Sequence, residues 1–201
     1  MTHTALYLQH KELLGQAIEA LSTRQFFSPY PEHPKAYDPA LDTKGKEAFG
    51  RLLNENFTQL NQDAATWVGE EVSPLWQYGT GVRYPALAVD TYVSHSAAAA
   101  KDWKSASIET RAGILIESLE RVRLRFFELA YATMHTTGQS FMMAFQASGP
   151  HAADRALEAI AMGVQELTRY PNDLAFSKPL GNYSLDVQKS WKPIAKGIGL
   201  V

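Results

Sequence analysis

Between Ser107 and Leu129 the apolar residues Ile108, Ala112, Leu115, Leu119, Val122, Phe126 and Leu129 recur at alternating steps of four and three. That spacing places them on one stripe of an α-helix and does not fit the two-residue period of a strand. Glu109, Glu117, Glu120, Arg121, Arg123, Arg125 and Glu128 are left for the exposed faces. Ser107 suits the N-cap, Glu109 in the first turn suits the helix dipole, and Gly138 after Thr136-Thr137 suits a left-handed C-terminal position. A long one-sided helix has to bury its stripe against other elements, so the chain is expected to be built mainly of packed helices.

Other helical patterns supply those partners. Leu8, Leu13, Leu14, Ala17, Ile18 and Leu21 make a stripe over about 5–21, and Phe49, Leu52, Leu53 and Phe57 make one over about 43–60. Ser140 opens a short helix through Phe141, Ala144 and Phe145 that stops at Gly149-Pro150, and Ala153, Leu157, Ile160, Val164 and Leu167 mark another over about 152–170. Between the first two, Phe27-Ser28-Pro29-Tyr30-Pro31-Glu32-His33-Pro34 is excluded from helix by its prolines and reads as an ordered or wrapping arm. Short strands are expected near 70–85, where Val72-Ser73-Pro74, Tyr78-Gly79-Thr80-Gly81 and Tyr84-Pro85 punctuate extended pieces, and near 183–201. There Tyr183 to Gln188 alternates as a half-exposed strand, Lys192 to Lys196 suggests a second, and Gly197-Ile198-Gly199-Leu200-Val201 reads as apolar backbone entering a sheet.

Composition excludes several function classes. A formal net charge of -2 provides no basic field for a phosphate backbone, so no nucleic-acid partner is expected. The chain has no Cys, which rules out disulfides, Cys-ligated zinc and a thiolate nucleophile within these residues, and which suits a cytoplasmic protein. The opening MTHTALYLQHKELLGQ lacks the basic and apolar regions of a secretion signal, and no apolar run approaches the roughly 20 residues that span a bilayer, so no membrane partner is expected.

The chemical constellations are sparse. The six His lack ligand spacing, and no metal site is expected. Ser94-His95-Ser96 are sequence neighbours without a glycine-flanked elbow. Gly79-Thr80-Gly81 and Gly197-Ile198-Gly199 complete no phosphate-binding pattern and read as turns. Met142, Met143 and Met162 could line a cavity, but plain core is the simpler reading. Arg121, Arg123 and Arg125 are interleaved with Glu and read as a solvated helix face. No catalytic and no cofactor-binding residue emerges.

A resemblance does emerge. Trp103, Ser107 to Leu115, Glu128-Leu129-Ala130, Thr136-Thr137-Gly138-Gln139, Arg169-Tyr170 and Pro193 to Val201 resemble the early helices and the approach to the cofactor-domain sheet of the aldehyde dehydrogenase superfamily. Gln139 departs from the Lys usual after that glycine. Arg24 to Glu32, Gly69 to Pro74 and Val82 to Pro85 resemble the extension of the PaaN-type branch associated with phenylacetic acid degradation.

The resemblance implies an α/β parent fold of which this chain is the amino-terminal portion. It divides the chain into a helical extension with a Pro-rich arm (1–68), the helical part of a cofactor-binding domain (69–175), an oligomerisation hairpin (176–196) and the start of the first cofactor-domain strand (197–201). It also implies an NAD- or NADP-dependent parent that oxidises an aldehyde to an acid or thioester through a Cys thiohemiacetal, a reaction this chain cannot perform alone. Ala159, Met162 and Gly163 would face the substrate entrance, with helix packing the slightly favoured alternative. The hairpin would join subunits of a homo-oligomer. A self-contained helical interaction or small-molecule-binding module is the alternative, and it does not explain the strand-like end.

Overall fold

The computed structural model describes residues 3–193, which form seven α-helices and two small antiparallel sheets. The helices are α1 (His3–Thr23), α2 (Ala40–Gly50), α3 (Val89–Ser105), α4 (Ile108–Arg123), α5 (Phe126–Thr137), α6 (Phe141–Ser148) and α7 (Pro150–Leu167). Strands β1 (Thr66–Val68) and β2 (Tyr84–Ala86) pair with Trp67 opposite Pro85, and β3 (Asp173–Leu180) and β4 (Tyr183–Ser190) form a hairpin with Phe176 opposite Val187. The chain is thus mainly helical with short strands, as its sequence implies. The closing segment 197–201 lies outside the described residues.

The caps are where the sequence puts them. Ser107 Oγ accepts the amide of Thr110, Ser140 Oγ accepts that of Met143, and Gly138 ends α5 at φ 74°. The single long helix expected through Leu129 is in fact two. It breaks at Leu124-Arg125, and Phe126 and Phe127 are then both buried. Successive residues do not share a helix face, so the break lets α5 leave at a new angle that takes both rings inside.

The second helix ends at Gly50 rather than near Leu60. Asn54, at φ 63°, donates its amide to Thr80, and Glu55 and Phe57 exchange backbone hydrogen bonds with Arg83. Long-range pairing therefore takes over where the apolar spacing suggested further helix. Helix α3 buries no residue, although Val89, Tyr92, Val93, Ala100 and Trp103 recur at helical spacing on one face, and its run Ala97 to Ala100 favours helix by propensity. The partner of β4 is β3, preceding it, and not Lys192 to Lys196. Lys192 and Pro193 carry no strand, and 194–196 lie outside the described residues. Lys178 and Pro179 interrupt the alternation that would have marked β3.

The core lies where α1, α4, α5, α6 and α7 meet. Tyr30, Ile116, Phe126, Phe145 and Leu157 are fully enclosed, and Phe126 meets Tyr30, Tyr37 and Phe145 edge to face at 6.1 to 6.2 Å. Gly113 sets the approach of α1 to α4, because a methyl group there would stand 2.5 Å from the Tyr7 nitrogen. Gly45 similarly lies against the backbone of Phe127.

A polar clip closes the same pair of helices. His10 Nε2 lies 2.9 Å from Glu117 Oε2, and Arg121 Nε donates to Glu117 Oε1 at 2.9 Å. Hydrogen bonds from Arg121 and His10 hold the Glu117 carboxyl below its ordinary value. A carboxyl depressed in the folded state adds stability above its unfolded pKa and loses it as pH falls through the folded value. Glu117→Gln is therefore expected to lower the thermal midpoint at pH 7, with the gap to the parent closing in acid. Melts across the acid range check this.

Candidate functional site

The polar chemistry of the helical body gathers around the Pro-rich arm. Tyr30 is inserted into the core, and its hydroxyl donates to Glu120 Oε1 at 3.1 Å, while Arg123 Nε donates to Glu120 Oε2 at 2.9 Å. Burial, then the Glu120 carboxylate, hold the Tyr30 phenol well above its ordinary pKa. Burial also pushes Tyr37 up to about 12, and Tyr37 Oη donates to the Pro31 carbonyl at 2.9 Å. Ser28 Oγ donates to Asp154 Oδ2 at 2.5 Å, and His151 Nε2 lies 3.1 Å from Glu32 Oε1. Asp154 is only 7% exposed, and burial raises its pKa. These contacts fasten the arm across α4 and α7 at three points.

Between the arm, the last turns of α1 and α7 lies a groove of about 590 Å³. Leu21, Phe26, Phe27 and Met162 provide apolar walls, and Arg24, Asp154, Arg155 and Glu158 the polar ones. The sequence reading did not find this site. Its residues come from two segments more than 120 residues apart, 17–29 and 154–162, and only the run Arg24 to Glu32 signals part of it.

Ala159, Met162 and Gly163 share one face of α7, three and four residues apart. All three are exposed, and nothing lies within 4 Å of a β-carbon built on Gly163. Met162, at 54% exposed, reaches the groove, whereas Ala159 and Gly163 do not line it. The plain-core reading of the methionines is corrected: Met142, Met143 and Met162 are exposed, while Phe145 and Ala161 take the inward positions. Core space on α6 and α7 is filled by rings and by small residues.

The remaining constellations resolve into structure. Ser94 Oγ donates to the Asp90 carbonyl within α3, and His95 is exposed. Arg121, Arg123 and Arg125 pair with Glu117, Glu120 and Glu128 at 2.6 to 2.9 Å, but Glu128, placed on an exposed face by its spacing, is buried against the helical body. Gly81 takes φ 66° in a turn whose Thr80 amide donates to the Glu71 carbonyl. His135, 2% exposed, packs between Phe49, Trp76 and Tyr78 and ties the 69–85 segment to α5. Among the described residues no three His, Asp or Glu side chains come together, and no helix is long and apolar enough to cross a membrane. Nor do the described residues build a dinucleotide cradle: both sheets are antiparallel pairs, and no strand leads through a glycine-rich loop into a helix.

No protein-family profile matches the chain, and no curated protein matches it. The crystal structure of an NAD-dependent aldehyde dehydrogenase from Burkholderia multivorans does, with a TM-score of 0.86 and 40% sequence identity, over 92% of this chain and 34% of that one. The chain spans about a third of that enzyme's length. In sequence and in fold, this chain is similar to one third of an NAD-dependent aldehyde dehydrogenase.

Proposed function

We propose that the chain is the amino-terminal portion of an aldehyde dehydrogenase of the PaaN-type branch, serving aromatic catabolism through phenylacetate in the cytoplasm. The likeness to the NAD-dependent enzyme over 92% of the chain carries this reading. The parent would use NAD or NADP and oxidise a small-molecule aldehyde to an acid or thioester. Its nucleophilic Cys and its cofactor site would lie in other parts of the protein, since these 201 residues contain no Cys. Residues 69–175 would be the helical part of the cofactor domain, and the hairpin would join subunits. The open face of Ala159, Met162 and Gly163 would be covered by the remainder of the enzyme and border the substrate entrance.

The test is aldehyde-dependent formation of reduced nicotinamide cofactor. The 201-residue chain alone is expected to give none above buffer, with either cofactor. A longer gene product carrying this segment together with a Cys-bearing domain is expected to turn over. Turnover by the isolated chain would sink the fragment reading, and an inert longer product would sink the enzymatic one. The alternative, a self-contained helical interaction or small-molecule-binding module, draws support from the closed aromatic core, which needs no further domain to bury it.

A further inference from the structure

We propose that the groove between α1, the arm and α7 binds a small amphipathic carboxylate, with an aryl or short acyl body against Leu21, Phe26, Phe27 and Met162 and the carboxylate on Arg24. Its volume of about 590 Å³ falls within the range of small-molecule pockets, roughly 300–1,000 Å³. The site is preformed. Ser28, Tyr30 and Glu32 fasten the arm, yet Phe26 beside them is 88% exposed. A large ring held in water on an anchored segment is an apolar surface without a partner, and holding it in place beforehand lowers the ordering cost of binding.

Charge selects the ligand. Arg155 is engaged by Glu158 at 2.6 Å, and Asp154 is covered and accepts the Ser28 hydroxyl. Arg24 is left as the groove's exposed guanidinium, with no carboxylate within ion-pair distance among the described residues. Its backbone sits at φ 56°, a conformation that side chains other than glycine rarely adopt, and Gln25 next to it donates its amide to the Ala20 carbonyl at the end of α1. Arg24 thereby lines a groove whose walls are part apolar and part polar. An anion with an apolar body satisfies both parts, whereas a neutral ligand leaves the Arg24 charge unused.

Calorimetric titration of the 201-residue chain with benzoate and hexanoate, against benzamide and hexanamide, tests this independently of the enzymatic reading. The carboxylates are expected to bind about tenfold more tightly than the amides, the worth of a charge-assisted hydrogen bond. Arg24→Gln, at an exposed position, should erase that preference and leave the thermal midpoint unchanged, and Ala20→Trp should fill the groove and abolish binding of all four. Equal binding of acid and amide, a preference that survives Arg24→Gln, or no binding of either carboxylate would overturn the proposal. Should Ala20→Trp fail to fold, the Arg24 variant still decides. None of these outcomes bears on aldehyde-dependent cofactor reduction, so the two proposals fail separately.

Discussion

Phe126→Ala is expected to destabilise the chain by about 3–5 kcal/mol, within the usual cost of deleting a buried phenyl ring. Phe126 is fully enclosed and joins three other rings edge to face, two of them, Tyr30 and Tyr37, contributed by the arm and the segment after it. Removing it therefore empties the contact that holds the arm to α5 and α6, and the cavity cannot close without moving Tyr30 off Glu120. At roughly 2–4 °C per kcal/mol for a chain of this size, the thermal midpoint should fall by about 10 °C. Tyr30→Phe keeps the ring and loses the hydroxyl, so it should cost only about 1–3 kcal/mol, chiefly from the Glu120 oxygen left without its donor. A similar loss in both variants would show that the hydrogen bond, and not ring packing, holds the arm. Paired thermal and urea unfolding curves read the difference.

How much of this was legible in the sequence depended on the range of the forces involved. Caps and stops act locally, so Ser107, Ser140, Gly138 and Pro150 could be read directly. The break at Leu124-Arg125 could not, because the apolar steps continue through it and only the burial of two adjacent rings requires it. Helix α3 does carry an apolar stripe, Val89, Tyr92, Val93, Ala100 and Trp103, but that face lies exposed among the described residues, so the spacing marks the helix without saying what covers it. The end of α2 at Gly50 is set by hydrogen bonds to Thr80 and Arg83, some 30 residues away. The site follows the same rule. Ala159, Met162 and Gly163 do share a face, as helical spacing dictates, but Ser28 with Asp154 and Tyr30 with Glu120 are separated by 126 and 90 residues, and no local pattern pairs them.

The hairpin carries the other large expected effect. Residues directly opposite in an antiparallel pair point to the same side, so the register sorts β3 and β4 into two faces. Asp173, Ala175, Ser177 and Pro179 lie with Ser184, Asp186, Gln188 and Ser190, a polar face closed by Ser177 donating to Asp186 at 2.5 Å. Leu174, Phe176 and Leu180 lie with Tyr183, Leu185 and Val187, an apolar face interrupted only by Lys178 and Lys189. Leu174, Phe176, Leu180 and Leu185 are about half exposed and Tyr183 more so, so nothing among the described residues covers this face. A two-stranded ribbon is marginal by itself in water, and a contiguous apolar face on it promotes association. The isolated chain is therefore expected to sediment above its 22.3 kDa monomer mass at tens of micromolar concentration. The double variant Phe176→Lys with Leu185→Lys is expected to sediment as a monomer and to melt like the parent, since neither residue belongs to the helical core. A parent chain that sediments as a cooperatively unfolding monomer would remove the hairpin as a subunit contact and favour the self-contained module. Association that survives the double variant would move the contact to the exposed apolar residues of α3 and α7, Tyr92, Val93, Trp103 and Met162, where the same substitution can be repeated.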